Sequence, residues 1–148
     1  MNDAAWQLPA EWESQSVVLI AWPHAGTDWA ANLADVESTY VALAAAVTRF
    51  QHLVVVVADD ALREHVRVRL ASAGVNLARV RLVLTEYDDT WLRDSGPISL
   101  SDGTRFRLVD FRFTGWGGKF EASLDDALAS TLHAAAEAEG GVGGAAGK

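Results

Sequence analysis

The sequence predicts an α/β fold with at least partly parallel strand pairing, and three observations carry that expectation. Strand-length runs of β-branched and aliphatic residues alternate with stripes of helical spacing. Two of those runs, residues 17–22 and 53–58, are apolar at successive positions, as in a sheet covered on both faces. At 148 residues, 50% hydrophobic and 22% charged, the chain has the profile of one globular domain rather than a disordered one.

Residues 1–15 are polar and aromatic, carry Pro9, and predict an irregular lead-in. Residues 16–22, Ser-Val-Val-Leu-Ile-Ala-Trp, predict the first strand, stopped by Pro23. Residues 24–28 predict a loop, with Thr27 or Asp28 placed to cap the next helix. Over 29–50, Leu33, Val36, Tyr40, Leu43 and Val47 fall at alternating spacings of 3 and 4, a helical stripe among helix-favouring alanines. Residues 53–57 predict a second strand. A helix starting at Asp59 or Asp60 follows, striped by Leu62, Val66 and Leu70 and ended by Gly74. Residues 79–85 predict a third strand. Residues 98–100 and 104–113 predict a hairpin about Asp102-Gly103, a pair favoured in tight primed turns. Residues 115–119 form a glycine loop, and Ser123 caps a last helix striped by Leu124, Leu128 and Leu132.

The end differs in kind. Eleven of the fifteen residues in 134–148 are Ala or Gly, too little apolar area to order a segment, so 1–133 is expected to be the domain and 134–148 a flexible tail. A loose echo of strand, loop and helix at 16–50 by hairpin, loop and helix at 96–138 suggests two copies of one module.

Charge and composition exclude several functions. A net charge of −8 repels phosphate backbones and argues against nucleic-acid binding. The chain has no cysteine, which excludes disulfides, thiolate metal sites and a cysteine nucleophile within it. No basic start precedes an apolar run, and the apolar stretches fall short of the ~20 residues a spanning helix needs. The expectation is a cytoplasmic protein without a membrane partner. His24, His52, His65 and His133 lack metal-ligand spacing. Of these, His24, at the end of the first strand, is best placed to line a pocket.

The densest chemistry lies in residues 87–97. Asp88, Asp89, Asp94 and Arg93 surround Trp91 just after a buried strand, where open α/β sheets place ligands. If this segment is extended, Trp91 and Arg93 share a face. If it turns, Trp91 and Asp94 meet and set a carboxylate beside an aromatic face, a pairing suited to a guanidinium. The structural alternative has Arg93 paired with one of the acids, tying down a loop. A carboxylate pair for glycoside hydrolysis or Mg²⁺ is the weaker chemical alternative. In residues 110–120, Trp116 stands among glycines, either presented into a cleft or plugging the core at a hairpin-to-helix corner. The G-x-x-x-x-G-K-[ST] spacing of a phosphate loop is absent.

Together these segments resemble the agmatine deiminase family, also called the bacterial peptidylarginine deiminase family. Leu8-Pro9-Ala10-Glu11-Trp12-Glu13 followed by Val18-Leu19-Ile20-Ala21-Trp22-Pro23 is similar to its opening. Asp89-Thr90-Trp91-Leu92-Arg93-Asp94-Ser95-Gly96-Pro97 and Asp110-Phe111-Arg112-Phe113-Thr114-Gly115-Trp116-Gly117-Gly118-Lys119 are similar to its next two motifs. The resemblance implies a pentein fold, an α/β propeller of repeated modules about a central site, present here in part as about two modules. It implies hydrolysis of a guanidine, agmatine, to N-carbamoylputrescine and ammonia on the route to putrescine. In that chemistry a cysteine thiolate attacks the guanidinium carbon, a histidine moves protons and carboxylates grip the nitrogens. Asp94 matches the first guanidinium-binding carboxylate and counts as catalytic on that match. Trp91 matches its aromatic neighbour, and Trp116 with Gly117 the segment near the substrate's far end. No metal or organic cofactor is implied.

The departure is the missing nucleophile. Family members are much longer, and their cysteine and catalytic histidine lie in the part not matched here. The chain is therefore expected to be an inactive N-terminal portion of a deiminase. Its exposed module faces would favour self-association, as a homo-oligomer, or docking of the missing modules. Two further readings stay open: a non-catalytic guanidine- or polyamine-binding module, and an unrelated acidic α/β hydrolase. Agmatine and peptidyl-arginine are not distinguished.

Overall fold

The structure is a computed structural model and describes residues 5–138. Strands β1 (Val17–Ala21), β2 (His52–Val57) and β3 (Val80–Leu84) form an all-parallel sheet in the order β1-β2-β3. Val17 lies opposite His52, and Leu53 opposite Val80. The central strand explains its own composition. Leu53, Val55 and Val57 point into one core with Trp22, Ala44, Val66 and Leu70, while Val56 joins Ala21, Tyr87 and Leu128 in another. Alternate side chains leave opposite faces of a strand, so an unbroken valine run is what burial on both sides requires.

The first core belongs to the crossover helices α1 (Leu33–Val47) and α2 (Asp60–Ser72), and the second to the last helix, α5 (Ser123–Ala138). Leu70 and Leu128 are fully buried. Each such side chain contributes about 1.5–3 kcal/mol of transfer free energy. Trp22 is fully buried too, and its indole N–H donates to the buried Glu37 carboxylate of α1 at 2.9 Å. It fills the core rather than lining a pocket, whereas Trp12 is 88% exposed.

The helix starts differ in mechanism. Asp59 caps α2 as expected, accepting the Leu62 N–H at 2.7 Å. Neither Thr27 nor Asp28 caps α1: a 3₁₀ turn at Ala30–Asn32 precedes it, and the Thr27 hydroxyl donates to the His24 carbonyl at 2.8 Å. The helix therefore begins at Leu33 rather than 29, which frees residues 27–29 for the site described below.

The hairpin also departs from expectation. Strands β4 (Ile98–Ser101) and β5 (Phe106–Val109) pair antiparallel with Ser101 opposite Phe106, which leaves a four-residue loop at 102–105 instead of a two-residue primed turn. Asp102 closes it by its side chain, accepting from Thr104 N–H (3.0 Å), Thr104 Oγ1 (2.8 Å), Arg105 N–H (2.8 Å) and the Arg105 guanidinium (2.6 Å). These bonds, those from the Thr104 and Arg105 backbone first, hold the Asp102 carboxyl well below the usual carboxylate range. The folded-state value is depressed, so the stabilisation is present above the unfolded value of about 3.9 and is lost as pH falls through the folded value. Hydrogen-exchange protection of the Thr104 and Arg105 amides is expected to persist below about pH 3.9. Loss of protection at the ordinary carboxylate pKa would contradict this reading, and Asp102→Ala is expected to remove it at every pH.

The lead-in is not wholly irregular. Gln7 and Ser101 exchange both backbone hydrogen bonds at 2.9 Å, extending the hairpin sheet by one bridge, and Trp6 packs 4.3 Å from the Arg107 guanidinium. Helix α5 continues past residue 134 to Ala138; residues 139–148 of the expected tail lie outside the described residues. Phe106 and Leu108, on one face of the hairpin, are 65% and 61% exposed. Among the described residues no helix is long and apolar enough to cross a membrane.

Candidate functional site

Two loops leave the carboxyl ends of β1 and β3, the edges flanking β2, and they meet above it. Asp89 makes the junction. One of its carboxylate oxygens accepts the Asp28 N–H at 2.9 Å and the other the Thr90 N–H at 2.7 Å. Thr90 Oγ1 in turn accepts the Trp29 indole N–H at 2.7 Å, and Trp29 packs on Trp91 with centroids 5.8 Å apart.

A second latch ties the β3 loop to α5. Asp88 accepts the N–H groups of Leu124 and Asp125 at 2.8 and 3.2 Å, the open first turn of the helix. Asp125, itself buried, returns the contact by accepting the N–H groups of Asp88 and Asp89 at 2.8 and 3.3 Å. Burial pushes the Asp125 carboxyl up, against the lowering effect of those two N–H groups. Tyr87 completes the anchorage: it is buried, its hydroxyl donates to the Trp22 carbonyl, and burial raises it above the usual phenol range.

With the loop pinned at Tyr87, Asp88 and Asp89, the chain turns. Helix α3 (Leu92–Ser95) is a single turn, and the Asp94 N–H donates to the Trp91 carbonyl at 3.0 Å. The turned alternative is therefore the one adopted, and Trp91 and Asp94 come together. Gly96 permits the exit, because a Cβ there would lie 2.5 Å from the Leu92 carbonyl oxygen. Of the three acids in this stretch, Asp88 and Asp89 are engaged with backbone N–H groups. The Asp94 side chain is exposed and has no hydrogen bond or ion pair among the described residues. Arg93 is exposed as well and pairs with none of the three, so the loop is held by acid-to-amide bonds and not by the salt bridge considered above.

The glycine motif supplies the opposing wall. The turn α4 (Gly115–Gly118) is left-handed throughout, with φ of 58° at Gly115, 56° at Trp116, and 81° at Gly117 and Gly118. L-residues lose about 1–2 kcal/mol each in that conformation, which explains glycine at three of the four positions and places backbone strain on Trp116. Trp116 is 48% exposed, so it is not a core plug. Phe113 and Phe120 brace its ring edge-on at 5.1 and 5.7 Å.

The result is an open cleft of about 530 Å³ lined by Asp28, Trp91, Asp94, Trp116, Lys119 and Phe120. Three of the four expected site residues, Trp91, Asp94 and Trp116, line it. Gly117 does not; its N–H donates to Thr114 Oγ1 at 3.1 Å and serves the turn. His24 does not line it either: its ring sits edge-on to Tyr87 at 5.2 Å and accepts the Gly26 N–H. Asp28, Lys119 and Phe120 are additions to the lining, and Trp29, packed on Trp91, is an addition to its support. Parallel pairing brings the β1 and β3 loops to the same edge of the sheet, and with them Asp28 and Trp29. No group of three or more His, Asp or Glu side chains fit to hold a metal occurs among the described residues.

Fold and geometry thus define an α/β domain with a parallel sheet and an acidic, aromatic-walled cleft at its carboxyl edge. More narrowly, the chain belongs to the Porphyromonas-type peptidyl-arginine deiminase family, whose model matches residues 7–142. The agmatine deiminase of Stutzerimonas stutzeri (strain A1501) is 33% identical over 113 residues, 76% of this chain and 29% of that protein. That of Pseudomonas aeruginosa (strain LESB58) is 34% identical over 119 residues, 80% of this chain and 30% of that protein. The chain thus spans about 30% of the length of the curated relatives it matches. Among solved structures, a substrate-bound agmatine deiminase variant of C. jejuni superposes with a TM-score of 0.76 at 26% identity, covering 88% of this chain and 37% of that one. An agmatine deiminase of Enterococcus faecalis gives 0.74 at 25% identity, covering 92% and 36%. The α/β fold is that of the agmatine deiminase structures, the pentein fold.

Proposed function

We propose that this chain carries the guanidinium-gripping half-site of a guanidine deiminase acting on agmatine, and forms about two modules of an α/β propeller whose remainder lies in further polypeptide. The observation that carries the reading is the unengaged Asp94 carboxylate in a cleft walled by Trp91 and Trp116, beside two acids that are already satisfied. A planar cation with paired N–H donors matches a carboxylate bidentately and stacks on an indole. Charge-assisted hydrogen bonds of about 1.5–3 kcal/mol and cation–π contact of about 0.5–2 kcal/mol are no larger than the association entropy they must offset, so the half-site alone is expected to bind agmatine weakly, with a Kd on the order of 10 mM or above.

Holding the guanidinium fixes the plane of its central carbon, so that a nucleophile can add from above that plane, ammonia can leave, and water can then displace the nucleophile to give the urea. This chain has no cysteine, so on this reading the thiolate comes from outside it, and so does the histidine that moves protons. The reaction needs neither metal nor organic cofactor. The product, N-carbamoylputrescine, feeds putrescine formation, a cytoplasmic role. The exposed Phe106 and Leu108 support association of this chain with further modules or with a second copy of itself. Peptidyl-arginine as substrate is the second reading, favoured by the description of the matched family.

Agmatine titrated into the 148-residue chain is expected to shift the indole N–H signals of Trp91 and Trp116 in NMR spectra, with no release of ammonia. Absence of any shift up to about 100 mM agmatine would overturn the half-site. Ammonia release by the pure chain would overturn the placement of the nucleophile elsewhere.

A further inference from the structure

The cleft holds a second acid that gripping a guanidinium does not use. Asp28 comes from the loop after β1, and its backbone is fixed because its N–H donates to Asp89 at 2.9 Å. Its side chain is exposed, lines the same cleft as Asp94, and has no hydrogen bond or ion pair among the described residues. Asp94 stands on the β3 loop and Asp28 on the β1 loop, so the two acids reach one cleft from different elements whose backbones the Asp89 junction ties together. One guanidinium bound at Asp94 leaves the Asp28 carboxylate on the same lining without a partner from the ligand. A ligand with a second positive charge at the far end of a short alkyl chain compensates both.

Resting on the half-site reading above, we infer that Asp28 is the specificity residue of this cleft, selecting aminoalkylguanidines over guanidines whose far end is neutral or acidic. Lys119 is the third charge on the lining. Its ammonium stands 5.1 Å from the Phe120 ring centroid and forms no ion pair with Asp28 or Asp94 among the described residues, so it does not neutralise Asp28. Its position on the aromatic wall defines the rival outcome, in which a ligand carboxylate pairs with Lys119 and its ammonium with Asp28, as free arginine would allow.

The test is an NMR titration of the full chain, followed at the tryptophan indole signals, with agmatine, butylguanidine and arginine, for the wild type, Asp28→Asn and Asp94→Asn. Butylguanidine keeps the guanidinium and the four-carbon chain but lacks the amine. The wild type is expected to bind agmatine about tenfold more tightly than butylguanidine and more tightly than arginine, the scale of one charge-assisted hydrogen bond. Asp28→Asn is expected to erase the preference for agmatine over butylguanidine, and butylguanidine binding that persists in the variant also shows that it is folded. Asp94→Asn is expected to weaken all three ligands. Equal binding of agmatine and butylguanidine by the wild type, or tighter binding of arginine, overturns the role of Asp28 and leaves the half-site standing. Failure of every guanidine to bind the wild type overturns both.

Discussion

Asp94→Asn is expected to weaken agmatine binding about 10- to 100-fold while leaving the thermal midpoint unchanged within about 2 °C. The two halves of that expectation come from one observation. The Asp94 side chain is exposed and accepts no hydrogen bond among the described residues, so folding does not depend on its charge. Binding does: Asn keeps one acceptor but loses the charge and the two-oxygen geometry that a guanidinium requires, a loss of about 1.5–3 kcal/mol. Its neighbours are expected to behave in the opposite way. Asp88→Ala strips the acceptor from the Leu124 and Asp125 N–H groups at the start of α5, and the cost of a lost cap is about 0.5–2 kcal/mol of stability. Measured together by titration and thermal melts, the two variants separate an acid that holds ligand from one that holds structure. A melt of Asp94→Asn lowered as far as that of Asp88→Ala would assign Asp94 to the fold instead.

The second large effect is expected at Gly115. A Cβ there would lie 2.3 Å from the Phe120 carbonyl oxygen and 3.1 Å from the Ala122 Cβ, at a backbone φ of 58°. Backbone oxygen cannot swing aside as a flexible side chain can. Gly115→Ala is expected to cost about 2–3 kcal/mol, or roughly 4–10 °C in the thermal midpoint of a domain this size. It should also lower guanidine affinity, because relieving the contact displaces Phe120, which braces Trp116. Gly117→Ala is the matched control. Its φ of 81° is equally left-handed, but nothing lies within 4 Å of the added carbon, so only about 1–2 kcal/mol of backbone strain is expected. Equal melts for the two variants would contradict the packing role of Gly115.

Much of this was legible in the sequence, and the exceptions share a cause. The valine run of β2 and the stripes of α1, α2 and α5 report burial directly, since apolar spacing is set by the faces an element hides. Trp91 and Asp94 lie three residues apart, so spacing offered the turn that unites them as one of two alternatives, and the anchorage at Tyr87, Asp88 and Asp89 selects it. Asp28 and Trp29 were hidden because their place depends on Asp89, distant in sequence, accepting an N–H across the end of β2. No local pattern reports such a bond. Asp102 was misassigned in kind: Asp-Gly suits a primed turn, but the carboxylate gathered the Thr104 and Arg105 groups into a longer loop. The left-handed Trp116 was foreseen only as permission from its glycines; the residue itself adopts the conformation, braced by Phe113 and Phe120.

A crystal structure of this chain grown with saturating agmatine decides whether Asp94 grips the guanidinium. The guanidinium plane is expected at hydrogen-bonding distance, about 2.7–2.9 Å, from both Asp94 oxygens and against an indole of the cleft. Agmatine bound elsewhere on the surface, with the Asp94 carboxylate left to solvent, would contradict it.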